Sequence, residues 1–169
     1  MTMVLDRVVH DDDEPQEEFK TVYLQTLRQL ERLHRLLLDV IRDEFERGEK
    51  SDITAVQALL LYNIGDQKLT PGELRGRGYY LGSNVTYNLK KLIASGYIEK
   101  KTSARDRRSV YIRLTGAGKT VCARIDKLYD RQLQAVATIG GLAIDEMSRM
   151  NDNMQRLERF WPDQIRFQL

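Results

Sequence analysis

The chain has 169 residues, 41% of them apolar, and its 27 Lys and Arg nearly balance 25 Asp and Glu, for a net charge of +2. This composition suits a folded globular domain, and the absence of any run of about 18 apolar residues argues against a membrane span. A single cysteine, Cys122, excludes an internal disulfide framework, and two distant histidines, His10 and His34, do not favour a metal site.

Residues 1–15 are predicted to form a disordered acidic tail. Consecutive acidic side chains repel one another there, and Pro15 follows them; they are Asp11, Asp12, Asp13 and Glu14. The segment has no apolar core typical of a signal peptide, so the sequence predicts no export and a cytoplasmic location.

Residues 16–50 are predicted to form a dimerisation helix that begins near Glu17 and stops at Gly48. Apolar side chains recur there at three- and four-residue spacing, from Phe19 to Phe45. About 30 helical residues would span about 45 Å, which is too long to bury the apolar stripe inside one small domain. A second subunit is the expected partner for this stripe.

Residues 51–119 are predicted to form a compact lobe. A helix over Thr54–Ile64 has Ser51 or Asp52 as its N-cap and ends at Gly65, and Gln67–Leu69 is a candidate edge strand. Thr70 and Glu73 then match a capping box at the start of a short helix that ends near Gly76 to Gly78.

The next helix is predicted over Leu81–Ser95, with Ser83 near its start, Gly96 as its stop and an apolar stripe of Val85, Leu89, Leu92 and Ile93. Two strands follow over Tyr97–Lys101 and Val110–Leu114, with Val110, Ile112 and Leu114 facing inward. An arginine-rich hairpin tip, Thr102–Ser109, joins these strands.

Residues 120–169 are predicted to complete the dimerisation region with two helices. The first starts at Thr115–Gly118, carries Val121, Ile125, Leu128, Leu133 and Val136, and breaks at Gly140–Gly141. The second covers about Ala143–Phe160 and is limited by Pro162. The predicted fold is mainly α (α+β): a winged helix-turn-helix with long N- and C-terminal dimerisation helices.

Charge is concentrated in the lobe. The segment Thr70–Lys119 holds eleven Lys or Arg against three Asp or Glu, whereas residues 1–50 are net negative and residues 120–169 are neutral. Positive charge gathered on one module favours a polyanionic partner, here double-stranded DNA.

The second helix of a helix-turn-helix enters the major groove, so its outward side chains are the candidate base and phosphate contacts. Asn84 and Asn88 can pair with adenine edges, and Tyr87 can meet a thymine methyl or a phosphate. Lys90 and Lys91 are better placed for phosphates. The full predicted set is Ser83, Asn84, Thr86, Tyr87, Asn88, Lys90 and Lys91.

The hairpin tip carries three arginines within four residues, a charge that suits the negative potential of a narrow minor groove. An intervening aspartate can pair with one of them and orient the others. This predicted wing consists of Arg105, Asp106, Arg107 and Arg108.

Two stretches, Ser83–Lys100 and Asp106–Val121, resemble the MarR family of winged-helix regulators. The family's wing signature matches at Asp106, Arg108, Leu114, Thr115 and Gly118. The resemblance implies a homodimer on a pseudo-palindromic operator, repression or activation of transcription, and an arginine in the minor groove. It also implies release by a small aromatic effector. The glycine-rich segment Arg75–Gly82 departs from the usual turn.

Several readings stay open at this stage. Tyr23, His34 and Tyr62 are candidate effector contacts, each of which is alternatively a core or interface residue. Cys122 is either a buried core thiol or a redox sensor. A catalytic constellation, a phosphate-binding loop and a cofactor site are not found in the sequence, so no enzyme is predicted. The rival function is a winged helix that binds another protein.

Overall fold

The computed structural model describes residues 13–47, 52–76, 82–102 and 110–167. In chain order the helices and strands are α1 (Asp13–Glu46), α2 (Ala55–Ile64), α3 (Pro71–Gly76), α4 (Gly82–Ala94), β1 (Ile98–Thr102), β2 (Val110–Leu114), α5 (Gly116–Thr138) and α6 (Ile144–Phe167). This order confirms a mainly helical winged helix-turn-helix with long helices at both ends.

Helix α1 begins at Asp13, four residues before the predicted start at Glu17. The prediction placed Asp13, Glu14 and Pro15 in a tail, but acidic side chains favour the positive end of the helix dipole and proline is tolerated in a first turn. Residues 1–12 of the predicted tail and the predicted stop at Gly48 lie outside the described residues.

Helix α1 joins the lobe only through its C-terminal part. Ile41 and Phe45 are buried there, whereas most of the preceding apolar side chains are exposed or half-buried. The core they enter is built from α2, α3, α4, the two strands, the first half of α5 and two residues of the connecting segments. Its members are Ile53, Ala58, Leu59, Leu60, Leu61, Ile64, Leu69, Leu74, Leu89, Leu92, Ile98, Ile112, Leu114, Val121, Ile125 and Leu128.

The N-cap of α2 differs from the prediction. Thr54, rather than Ser51 or Asp52, caps the helix, and its hydroxyl accepts the Gln57 N–H at 3.3 Å. The Gln57 side chain accepts the Thr54 N–H at 3.1 Å, which completes a reciprocal capping box. Helix α3 starts as predicted, because Glu73 accepts the Thr70 N–H at 2.7 Å.

Helix α4 ends at the predicted glycine. Gly96 has φ of +77°, and the Tyr97 and Gly96 N–H groups donate to Leu92 and Ile93 at 2.9 and 3.1 Å. This bond pair is a Schellman motif, which needs a left-handed residue at the position that Gly96 occupies. The chain therefore turns sharply from α4 into β1.

Strands β1 and β2 are antiparallel, with Ile98 opposite Leu114 and Thr102 opposite Val110. The predicted edge strand at Gln67–Leu69 is reduced to a single bridge between Leu69 and Ile112. Val110, predicted to face inward, is exposed because it lies at the far end of the hairpin, beyond the core.

The last two helices extend beyond the lobe. Helix α5 is capped by Thr115, as the Thr115–Gly118 start predicted, but only Val121, Ile125 and Leu128 of its predicted stripe are buried. Helix α6 continues through Pro162 instead of stopping there. Proline removes one helical hydrogen bond, and the carbonyl that it leaves can be hydrated on this exposed helix.

No helix within the described ranges is long and apolar enough to cross a membrane.

Candidate nucleic-acid interface

Helix α4 presents a polar face to solvent while its apolar stripe packs into the lobe. Leu89 and Leu92 are buried, and Thr86, Tyr87, Lys90 and Lys91 are exposed. This division follows from the 3.6-residue period, which puts the two leucines on the opposite side of the helix from the lysines. Four of the seven predicted α4 contacts are therefore accessible to a ligand outside the lobe.

Tyr87 and Lys91 lie one turn apart on α4 and contact each other. The Lys91 ammonium lies 5.1 Å from the centre of the Tyr87 ring, a cation–π geometry. Tyr87 is 57% exposed, so the pair forms a joint surface with a cationic end and an aromatic ring. Such a surface can meet a phosphate and a base or methyl group together.

The structure changes the reading of Asn88, which was predicted to face outward. Asn88 is half-buried, and its Oδ1 accepts a hydrogen bond from Gln57 Nε2 at 3.2 Å. At 100° per residue Asn88 lies on the flank of α4, between the lysine face and the leucine face. Its carbonyl is thereby turned toward α2 rather than away from the lobe.

Six predicted contacts lie outside the side chains that the structure describes. Ser83 and Asn84 belong to the first turn of α4, but their side chains, like that of Val85, lie outside what the structure describes. The predicted wing residues Arg105, Asp106, Arg107 and Arg108 also lie outside the described residues.

The base of the wing is described and is cationic. Lys100 and Lys101 are exposed on β1, and Arg113 on β2 forms an ion pair with Glu99 across the strands. Glu99 also lies 4.0 Å from Lys101, so one carboxylate holds two cations near the hairpin. The hairpin thus carries positive charge on the strands that lead to the predicted arginine tip.

A second contact locks the end of α4 to the start of α5. The Thr115 hydroxyl donates to the Gly96 carbonyl at 2.7 Å and accepts the Gly118 N–H at 3.2 Å, while the Thr115 N–H donates to the Tyr97 carbonyl at 3.0 Å. A Cβ at Gly118 would lie 2.4 Å from that Tyr97 carbonyl. The Thr–x–x–Gly spacing is visible in the sequence, but the clamp also needs the carbonyls of Gly96 and Tyr97, which no local pattern links to Thr115.

Gln57 is another residue whose role sequence reasoning missed. The signal was present, since Thr54 and Gln57 have the Ser/Thr–x–x–Glu/Gln spacing of a capping box. The contact from Gln57 to Asn88 joins residues 31 positions apart, so no local sequence pattern predicts it.

The three candidate effector contacts lie in different places. Tyr62 donates to Asp126 at 2.9 Å and lines a concavity of about 460 Å³. Its pKa is raised to about 12, chiefly by that hydrogen bond and then by burial. Tyr23 accepts a hydrogen bond from the Trp161 indole at 3.3 Å, and His34 is exposed on α1. The concavity is lined by neither Tyr23 nor His34.

Cys122 is half-buried beside Tyr62. Burial, followed by the negative charges of Asp126 and Asp66, raises the pKa of the thiol to about 11. A sensor thiol needs the opposite shift, because the thiolate is the reactive form. The surroundings of Cys122 therefore favour a buried structural thiol over a redox sensor.

Large apolar side chains remain exposed along the three long helices. On α1 they are Phe19, Val22, Leu24, Leu33 and Leu36; on α5 and just beyond it they are Leu133, Val136, Ile139 and Leu142; on α6 they are Ile144, Met150, Met154, Phe160 and Ile165. We call these the uncovered apolar side chains. The exposed positions of α4 described above differ from them in being mainly polar or cationic.

A short helix, a second helix with an exposed polar face and a following antiparallel hairpin define a winged helix-turn-helix protein. A family model described as MarR family matches residues 51–109. The chain is also 33% identical over 159 residues to the exopolysaccharide II synthesis transcriptional activator ExpG of Rhizobium meliloti (strain 1021). That alignment covers 92% of this chain and 80% of the relative.

The fold agrees with two solved structures. FabT of Streptococcus pneumoniae in complex with DNA has a TM-score of 0.65 and 22% identity, covering 83% of this chain and 98% of FabT. Staphylococcus aureus MarR in complex with salicylate and kanamycin has a TM-score of 0.67 and 21% identity, covering 86% and 96%. The chain belongs to the MarR family and is a DNA-binding transcriptional regulator rather than an enzyme.

Proposed function

We propose that the chain binds a pseudo-palindromic operator as a homodimer, with α4 in the major groove and the arginine wing in the minor groove. The observation that carries this proposal is the exposed set Thr86, Tyr87, Lys90 and Lys91 on α4, next to a cationic hairpin. A helix fits the major groove, and a two-stranded ribbon is a stiff mount for side chains that enter the neighbouring groove.

The contacts divide by chemistry. Lys90 and Lys91 supply charge to phosphates, which fixes position without reading sequence. Tyr87, together with Asn84 and Ser83 in the first turn, is proposed to contact base edges, where the N-terminal part of a recognition helix approaches the groove floor. Arg108, with Arg105 or Arg107, is proposed to enter the minor groove, and Asp106 to orient the arginines.

The uncovered apolar side chains support the homodimer. Helix α1 has 34 residues and about 51 Å of length, yet only its C-terminal part is packed in the lobe. A symmetric pairing of α1, α5 and α6 would remove these side chains from water. It would also set two copies of α4 about 34–36 Å apart, which is one turn of DNA.

The proposal also includes modulation of DNA binding by a small effector. Support comes from the concavity beside Tyr62 and from the salicylate complex of the Staphylococcus aureus relative. Asp126 and Tyr62 in its lining could accept hydrogen bonds from a ligand, and Lys119 could donate one. Tyr23 and His34 stay candidates only for a ligand that binds along α1.

The proposal is tested by selecting duplexes from a random-sequence pool with the purified protein and then titrating the selected duplex by fluorescence anisotropy at increasing salt. We expect sequence enrichment and a steep linear fall of log K with log salt, because each neutralised phosphate releases counterions. No enrichment, or affinity that salt does not change, would contradict it.

The rival function, a protein-interaction module, would require an apolar outer face on α4. That face instead carries threonine, tyrosine and two lysines, while the uncovered apolar side chains lie on the long helices. The observation therefore favours DNA as the partner of α4.

A further inference from the structure

A hydrogen bond between Gln57 on α2 and Asn88 on α4 joins the proposed recognition helix to the interior of the lobe. Gln57 is 6% exposed and is the buried polar residue of the described core. Buried amides need partners, since an unsatisfied one costs about 1–3 kcal/mol. The two ends of the Gln57 amide find theirs on different helices.

The first partner fixes which way the Gln57 amide points. The Thr54 backbone N–H can only donate, so the Gln57 atom 3.1 Å from it must be the oxygen. The nitrogen is then the atom 3.2 Å from Asn88, and an NH₂ group can only donate. Asn88 must therefore present its carbonyl oxygen to Gln57.

That assignment removes Asn88 from the usual adenine contact. Asparagine reads adenine with both ends of its amide, accepting from the N6 amino group and donating to N7. The Asn88 oxygen already accepts from Gln57. Turning it to a base would leave the buried Gln57 nitrogen without that partner, at a cost comparable to the discrimination that the base contact supplies.

We propose that Gln57 and Asn88 form a positioning pair that sets the rotation of α4 about its axis, with Asn88 acting through helix placement rather than by reading adenine. The packing of Leu89 and Leu92 is not directional, whereas a hydrogen bond is. The pair thus fixes how Tyr87 and Lys90 face the groove. This inference rests on the proposed DNA-binding function.

The test is a double-mutant cycle on the full-length chain with Gln57→Met, Asn88→Ala and the combination. Met keeps the size of Gln without its hydrogen bonds, and the lost capping bond is common to both Asn88 backgrounds, so it cancels in the cycle. Affinities are measured for the duplex selected by the wild type and for a random duplex, and melting temperatures report folding.

We expect each single change to weaken binding to the selected duplex about threefold to tenfold, with the double variant no weaker than the weaker single. Repeating the selection with Asn88→Ala should return the same preferred bases. Effects that multiply independently would overturn the pair, as would a changed base preference for Asn88→Ala while Gln57→Met binds normally.

Two further results keep the outcomes separate. If Gln57→Met unfolds the lobe, the selection with Asn88→Ala decides: weaker binding with an unchanged base preference supports the pair, and a changed base preference overturns it. A wild type that enriches no duplex would overturn the proposed function, and this inference with it. A wild type that binds while the cycle shows no coupling overturns the pair alone.

Discussion

Exposure along α4 follows the helical period, with Asn88 as the exception. Lys90, Lys91 and Tyr87 are outside and Leu89 is inside, as a 3.6-residue repeat requires. Asn88 lies at the boundary of the two faces, where the helical period does not determine whether a side chain is buried. A contact from another helix determines its orientation. Its inward carbonyl depends on Gln57, which the sequence could not place next to it.

Lys90 is expected to contribute charge without sequence preference. Lys90→Ala should weaken binding to selected and random duplexes by similar factors and reduce the salt slope by about one, because one phosphate contact is lost. Anisotropy titrations at several salt concentrations measure both. Lys127→Ala, an exposed lysine on α5, is the control, and an equal fall in salt slope for that variant would remove the specific role of Lys90.

Cys122 is expected to be a slow nucleophile at neutral pH. Its raised pKa means that the protonated thiol dominates well above pH 9, so the thiolate fraction grows about tenfold per pH unit and levels off only near pH 11. The rate of iodoacetamide labelling, followed by mass spectrometry between pH 7 and 10, measures this. A rate that levels off below pH 8 would show an activated thiol and restore the redox reading.

Whole elements were predicted well where their end signals are local. Gly65, Thr70 with Glu73, Gly96 and Thr115 mark helix ends in the structure as they do in the sequence. The failures have physical causes that lie outside a local pattern. Thr54 competes with two neighbouring capping residues, and α6 passes through Pro162 because an exposed helix can lose one backbone bond.

Gly118 is expected to be intolerant of any side chain. Gly118→Ala would put a Cβ 2.4 Å from the Tyr97 backbone carbonyl, which is held by the clamp between α4 and α5. We expect a loss of about 1–3 kcal/mol in the free energy of unfolding, the usual cost of overpacking. Urea unfolding followed by circular dichroism measures the change.

The matched control lies two residues earlier in the same helical turn. A Cβ at Gly116 meets nothing within 4 Å, so Gly116→Ala should leave the free energy of unfolding unchanged or raise it by up to about 1 kcal/mol. Equal losses for both variants would show that helix entry, rather than the approach of the Tyr97 carbonyl, requires glycine.

At the scale of the whole molecule, the order of a DNA-binding lobe between long helices was predictable from the sequence. Cationic residues and long apolar stripes occupy different parts of the chain. Cationic residues gather between Thr70 and Lys119, and long apolar stripes lie on either side. A single sequence does not reveal which apolar side chains a second copy covers. Leu133 illustrates this: the sequence predicts that it shares a stripe with Val121 and Ile125, but it lies about 120° around α5 from Val121 and is 67% exposed in one chain.

In the proposed dimer Leu133 is buried between subunits, so a charged side chain at this position should weaken dimerisation. Leu133→Glu should lower the mass measured by sedimentation equilibrium toward that of one chain, because a carboxylate would be buried without a partner. Lys127→Glu, a charge change at an exposed polar position of the same helix, should keep the wild-type mass. A wild type that sediments as one chain at micromolar concentration would refute the dimer.

Hydroxyl-radical footprinting of the selected duplex joins these scales in one measurement, because the reagent cuts at sugars exposed in the minor groove. We predict a two-fold symmetric footprint whose halves are centred one DNA turn apart, with flanking minor-groove protection that Arg108→Ala removes while weakening binding by about 1–3 kcal/mol. A single asymmetric patch, or flanking protection that persists in Arg108→Ala, would contradict a symmetric pair of winged helices reading both grooves.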